Sequence, residues 1–242
     1  NEICKICKRE FERGKINVSS AGTLLSFMEK PNFKMSFGFA QYCAEGNLCG
    51  DTIKTINDSR GHMVFIISDG MGKGSRAALD GAMGAGLLSK LLSAGFGFDS
   101  SLKVVNSALL VKSHEESLAT LDCVRVDLFS GKCEFYKAGA PRSYIVKDDR
   151  LTKCELTSMP AGILRGVEFA KRTTVLNTDD EIIMMSDGVT DVGNEWLEKF
   201  LRLETTLEPN EKAKAILKIA LENSDEKHRD DMSVIVAKML ER

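Results

Sequence analysis

Apolar and polar positions change texture at Phe33. Residues 1–30, "NEICKICKREFERGKINVSSAGTLLSFMEK", mix charged and apolar side chains at helical spacing and predict one or two amphipathic helices. They would form a helical linker or regulatory extension over residues 1–32. From Phe33 onward the runs shorten and alternate: "KMSFGFAQYC", "DTIKTI" and the buried-type run "HMVFIIS", which stops at Asp69. Helical blocks follow over about 75–94 and about 100–114, separated by "GFGFD". Then strands crowd together. "CVRVDLF" puts Val124, Val126 and Leu128 on one face and Arg125 and Asp127 on the other. "KCEFYKAG", "RSYIVK", "RLTKCEL", "EFAKRTTVL" and "EIIMMS" succeed it with turn residues between. A helix over 211–223 precedes the last strand, "MSVIVAKML".

Strands in hairpin-length succession favour antiparallel sheets, and the missing β-α-β alternation disfavours a doubly wound dinucleotide fold. No boundary is visible after Phe33, so residues 33–242 read as one α+β domain.

Composition narrows the function classes. The chain has 242 residues, 43% hydrophobic and 28% charged, as a globular domain should. A formal net charge of −2 argues against nucleic acid as a partner, because phosphate neutralisation needs a basic face. No apolar run approaches the roughly 18 residues that span a bilayer, so no membrane contact is expected of this stretch. The first residue is Asn, which suggests a longer parent, itself open to membrane anchoring. The seven cysteines lie mostly in apolar runs, as Cys123 and Cys133 do, and suit reduced thiols in a cytoplasmic domain. Cys4 and Cys7 form a C-x-x-C, but Cys43 and Cys49 have the wrong spacing to complete a zinc site, and idle thiols are the better reading.

The chemistry concentrates at a repeated motif. "FIISDGMGK" and "IMMSDGVTD" each run an apolar strand into Ser-Asp-Gly. A phosphate loop of the G-x-x-x-x-G-K-[ST] type fails because Gly74 follows Lys73. A dinucleotide fingerprint fails because Ser75 takes the third glycine's place. Carboxylates at strand ends fit a metal corner better, since the glycine permits a tight turn and bares its carbonyl. Asp69 and Asp187 end two strands, Asp230 and Asp231 precede the last, and Asp51 starts another. Each Asp alone is an ordinary turn residue. Four acid-bearing strand ends together predict mutual repulsion relieved by a hard divalent cation, Mn2+ or Mg2+.

These motifs resemble the metal-dependent protein serine/threonine phosphatases, the PPM or protein phosphatase 2C-like family, and within it the stage II sporulation protein E branch. The matching pieces are "CGD", "SDGMGKGSRA", "ATLDCVRVDL", "KAGAPRSYIV", "MPAGI", "DEIIMMSDG" and "RDDMSVIV", from about Phe33 to the C-terminus. The resemblance implies a four-layer α-β-β-α sandwich with two divalent cations, Mn2+ or Mg2+, at one edge. It implies that Asp69 bridges both ions, that the Gly70 carbonyl ligates one, and that Asp187 and Asp230 complete the shell. Asp51 would bind directly or through water, and Asp231 would act beside the ligands. The implied reaction is hydrolysis of phosphoserine or phosphothreonine on a protein partner by a water activated between ions ~3.5–4 Å apart. The implied substrate is a regulatory protein of the anti-anti-sigma type in a partner-switching pathway, with a homodimer as a further assembly.

Two departures from the family stand out. Met71 occupies the place where eukaryotic members carry a His, and no Arg lies between Phe33 and Asp51. Lys73, Arg76 or Arg229 would have to grip phosphate; His62, His114 and His228 lie elsewhere, and His228 reads as part of a solvated loop. Gly81, Gly84 and Gly86 sit in one helical block, each costing about 1 kcal/mol of helix stability against Ala. They read either as close packing or as a mobile helix that switches the Asp69 loop. The alternative to catalysis is a conditionally active or non-catalytic signalling module that binds a partner. A nucleotide-binding domain survives only if loop spacing is forgiven.

Overall fold

The computed structural model describes residues 2–242 except Arg13, Lys15, Asn47, Ser59, Lys73, residues 113–117, Asp149 and Val167. The chain begins with helix α1 (Glu2–Cys7) and strands β1 (Phe11–Glu12), β2 (Ile16–Ser19), β3 (Gly22–Leu25) and β4 (Met28–Glu29). β1 pairs with β4, and β2 with β3. The helical reading of 1–30 therefore holds only through Cys7. Gly22, at φ +138, turns the chain back, and the Ser19 hydroxyl accepts from the Ala21 amide and donates to the Gly22 carbonyl. A local turn with β-branched Val18 and Thr23 beside it outweighs the helical spacing.

From Phe33 the elements are β5 (Phe33–Tyr42), β6 (Asp51–Asn57), β7 (His62–Gly70), α2 (Gly74–Ser93), α3 (Phe98–Lys112), β8 (Ala119–Asp127) and β9 (Lys132–Ala138). They continue with β10 (Ser143–Lys147), β11 (Arg150–Cys154), β12 (Ala170–Val175), β13 (Glu181–Met185), α4 (Asp187–Thr190), α5 (Glu195–Leu203), α6 (Pro209–Asn223) and β14 (Met232–Glu241). Two five-stranded antiparallel sheets result, ordered β11-β10-β13-β14-β5 and β12-β9-β8-β7-β6.

The sheets stack on a shared core in which Phe65, Ile67, Val124 and Phe135 face Ile145, Ile182, Met184 and Ile235. Alternate positions of β7, Val64 and Ile66, point the other way, toward Leu88, Leu102, Val105 and Leu109 of α2 and α3. On the opposite flank, Ile183, Met185, Val234 and Val236 meet Leu197, Leu201, Ala213 and Ile216 of α5 and α6. β7 and β14 are thus buried on both faces, which is why their sequences read as continuous apolar runs. The fold is the expected α-β-β-α sandwich.

Antiparallel register places the chemistry at one end. Asp51 opens β6 directly opposite Asp69 near the end of β7. In the other sheet, Met185 at the end of β13 pairs with Val234, so Asp187 and Asp230–Asp231 flank the same rim. Met232 in turn pairs with Tyr42 at the end of β5, and the segment from Tyr42 to Asp51 crosses between sheets there.

Candidate metal centre

At this rim the backbone is packed too tightly for side chains. A Cβ on Gly70 would lie 1.9 Å from the Ala77 carbonyl oxygen, and one on Gly81 would lie 2.2 Å from that of Gly50. The glycines therefore let α2 press its first turns onto the ends of β6 and β7. Gly84 belongs to the same face, 2.8 Å from the Ser68 hydroxyl, whereas nothing lies within 4 Å of a Cβ on Gly86. Close packing accounts for Gly81 and Gly84 but not for Gly86.

Asp51 is buried, and neither of its carboxylate oxygens has a hydrogen-bond partner. Burial raises its pKa to about 6, against the pull of the Ser186 and Ser233 hydroxyls, with Asp187 and Asp231 adding repulsion. Those hydroxyls lie close enough to favour the anion without reaching hydrogen-bond geometry. Asp69 is pushed further, to about 8, by burial first and then by Asp51, Asp187, Asp230 and Asp231. Asp187 is also raised, by burial and then by Asp191 and Asp230. Five acids thus feel one another at one sheet end.

Their other contacts are to backbone. Asp187 Oδ1 accepts from the Gly188 amide at 2.8 Å, and Asp230 Oδ1 from the Asp231 amide at 2.8 Å. Asp231 accepts twice, from Ala44 at 2.7 Å and Gly50 at 2.5 Å. As arranged, no three His, Cys, Asp or Glu side chains among the described residues converge tightly enough to enclose an ion, near the acids or at the cysteines. The donor set nevertheless suits a hard cation. It is all oxygen, and the orphaned Asp51 oxygens and the raised Asp69 are what uncompensated carboxylates show. Asp231 holds the Ala44–Gly50 loop rather than facing the other acids with both oxygens. Asp231→Ala should leave two amides unpaired and destabilise by about 1–3 kcal/mol, which a thermal melt would register.

The phosphate-gripping candidates fare unevenly. Arg229 lines a cleft of about 210 Å3 with Tyr42, Glu45, Lys227, Asp230 and Asp231. Its Nε donates to Ser224 Oγ at 2.8 Å and its Nη2 to the Leu221 carbonyl at 2.9 Å, so it also caps the end of α6. Arg76 is exposed on the first turn of α2, while Lys73 and His114 lie outside the described residues. His62 bonds Asp58 at the far end of β7, and His228 bonds Asp225 in the exposed loop before β14. Sequence reasoning missed the supports. Gln41 donates to both the Asp51 carbonyl and Ser233 Oγ, and Ser186 Oγ accepts from the Ser233 amide. Ser186 of the second Ser-Asp-Gly repeat was the available signal.

Comparison with known proteins identifies the family and the fold. The stage II sporulation protein E family model matches residues 59–240. Stage II sporulation protein E of Priestia megaterium is 31% identical over 80% of this chain and 34% of its own length. That of Bacillus subtilis (strain 168) is 28% identical over 89% of this chain and 27% of its own. The chain therefore spans about a third or less of these relatives. A solved structure of the PP2C phosphatase domain and a regulatory-domain fragment of SpoIIE from Bacillus subtilis superimposes with TM-score 0.85 and 25% identity, over 100% of this chain and 74% of that one. The catalytic domain of the phosphatase PstP, solved with two manganese ions, shares the fold at TM-score 0.69 and 19% identity, over 86% of this chain and 100% of that one.

Proposed function

The chain belongs to the stage II sporulation protein E family and has its PP2C-type phosphatase fold, and from that premise we propose that it hydrolyses phosphoserine or phosphothreonine on a regulatory protein. The observation that carries this reading is Asp51: two buried, partnerless carboxylate oxygens in cross-strand register with Asp69. Asp69, Asp51, Asp187, Asp230 and the Gly70 carbonyl would hold two divalent cations, Mn2+ or Mg2+. When bound, the ions supply an activated water at neutral pH and neutralise the phosphoryl oxygens.

The protein's own part is positional. β6 and β7 fix Asp51 and Asp69 against each other, α2 closes over Gly70, and Asp231 pins the loop that leads into Asp51. The cleft that opens beside Asp230 sets Lys227 and Arg229 among Glu45, Glu226, Asp230 and Asp231, so its lining is net acidic and a phosphate would depend on bound cations there. The substrate is read as a regulatory phosphoprotein of the anti-anti-sigma type, and the family match supports the sporulation setting of that reading. Residues 1–32 are read as part of a regulatory extension. Among the described residues no helix is long and apolar enough to cross a membrane.

A conditionally active module is the second reading, favoured by the backbone amides that engage Asp187, Asp230 and Asp231. One assay separates the two: phosphate release from a phosphoserine protein with Mn2+, and again after chelation. Chelator-sensitive turnover supports the first. Bound Mn2+ without turnover supports the second, and turnover indifferent to chelation sinks both ion-dependent readings.

A further inference from the structure

Beneath the acid rim lies a charged cluster that the proposed chemistry does not use. Lys137 of β9, Asp122 of β8 and Ser143 at the start of β10 are all buried. They belong to the inward-facing sets of their strands, two residues from Phe135, Val124 and Ile145 respectively. The Lys137 ammonium places its three donors here, on Asp122 Oδ2 at 2.7 Å, on Ser143 Oγ at 2.7 Å and on the Pro141 carbonyl at 2.6 Å. The Ser143 hydroxyl in turn donates to Asp122 Oδ2 at 2.9 Å.

Lys137 and Asp122 belong to one sheet and Ser143 to the other, so the cluster is a polar bridge across an apolar interface. Register sets its depth. Asp122 pairs with Ile67, two residues before Asp69, and Tyr144, next to Ser143, pairs with Ile183, four residues before Asp187. The bridge therefore lies just below the strand ends that carry the acids. On the β5–β6 side the sheets are laced by Gln41, which reaches the Asp51 carbonyl, and by Asp231, which holds Gly50. The Lys137 bridge fastens the side formed by β8, β9 and β10.

Stability is a poor reason for such a bridge. Desolvation offsets the attraction of a buried ion pair, and apolar side chains of similar size often serve as well. Here Asp122 Oδ1 lacks a partner. What the bridge supplies that Leu or Met cannot is a fixed length and direction. We propose that Lys137, Asp122 and Ser143 are positioning residues that set the offset of one sheet against the other, keeping Asp51 and Asp69 aligned with Asp187 and Asp230. The role rests on the proposed ion site. Apolar cores lose unique geometry before they lose stability, whereas a metal site needs its ligands held within about 0.5 Å.

Two variants of the whole chain test this. Ser143→Ala removes the second sheet's share and leaves the Lys137–Asp122 pair in place. Asp122→Leu combined with Lys137→Met replaces the bridge by apolar side chains and leaves no lone charge behind. The double variant should melt at or above the temperature of the parent. Its Mn2+ affinity, read from the electron paramagnetic resonance signal of the free ion, should fall about tenfold or more, the scale on which supports behind metal ligands act. Ser143→Ala should lower affinity in the same direction, and it carries the test if the double variant does not fold. Metal-free crystal structures of parent and variant should show the Asp69 and Asp187 carboxylates displaced relative to each other by more than about 0.5 Å. Parental Mn2+ affinity in a folded variant overturns the proposal, as does an affinity that falls only in step with the melting temperature. If the parent itself binds no Mn2+, the ion site fails, and the crystal structures alone decide the bridge: an unchanged Asp69–Asp187 separation overturns it.

Discussion

Asp69→Asn should lower Mn2+-dependent phosphate release by about a thousandfold or more, yet stabilise the metal-free protein at pH 8. Both effects follow from one cause. Burial and four neighbouring carboxylates push the Asp69 pKa up to about 8, from an ordinary value of 3.8. Between those limits the folded chain holds a proton that the unfolded chain has released. Stability therefore declines as pH rises through that window, because the unfolded state binds fewer protons. Above pH 8 this contribution is flat. Asparagine carries no charge and removes the slope. Since about 1 kcal/mol moves the melting temperature of a domain this size by roughly 2–4 °C, thermal melts at pH 5 and pH 8 would resolve the difference. Mn2+ should act with the opposite sign. A bound cation requires the carboxylate ionised, so binding releases protons and tightens from pH 6 to pH 8. Calorimetry in two buffers of different ionisation heat measures that release. A variant that keeps turnover within tenfold of the parent, or a parent whose metal-free melt ignores pH, would defeat the assignment of Asp69.

Much of this arrangement was legible because it is local. β7 and β14 announce themselves as apolar runs, with Asp69 in a Ser-Asp-Gly motif at the end of one and Asp230–Asp231 directly before the other. What was not legible depends on distant partners. Asp231 meets Ala44 and Gly50 across more than 180 residues of sequence, and no spacing rule forecasts a carboxylate that ties down a loop. Helix α5 was missed because its Leu197 and Leu201 make only a brief apolar stripe among charges, and packing on the sheet supplies the rest. The hairpin of β2 and β3 was misread as helix for the reverse reason. All eight of its residues are exposed, so no burial pattern marks it, and the turn at Gly22 decides.

Gly81→Ala should be the most disruptive of the glycine substitutions in α2. Its new methyl would sit 2.2 Å from the Gly50 carbonyl oxygen and 3.1 Å from that of Ser68, the backbone atoms directly preceding Asp51 and Asp69. Neither can rotate away. The helix must lift, at a cost of about 2 kcal/mol or more, and the lift acts on both carboxylates. Loss of stability and loss of Mn2+ affinity are expected together. Gly84→Ala meets the Ser68 hydroxyl at 2.8 Å, a group on a rotatable side chain, and Leu121 at an ordinary 3.5 Å, so its effect should be smaller. Gly86→Ala meets nothing within 4 Å and should stabilise by about 0.5–1 kcal/mol through helix propensity. This graded series discriminates between packing and switching. If the glycines serve close approach alone, Mn2+ affinity falls only where stability falls. If α2 moves to carry the Asp69 loop into position, Gly84→Ala shifts the Mn2+ titration while the melting temperature stays near that of the parent. Titration and melt on the same three variants decide it, and an unchanged titration for Gly84→Ala removes the switch.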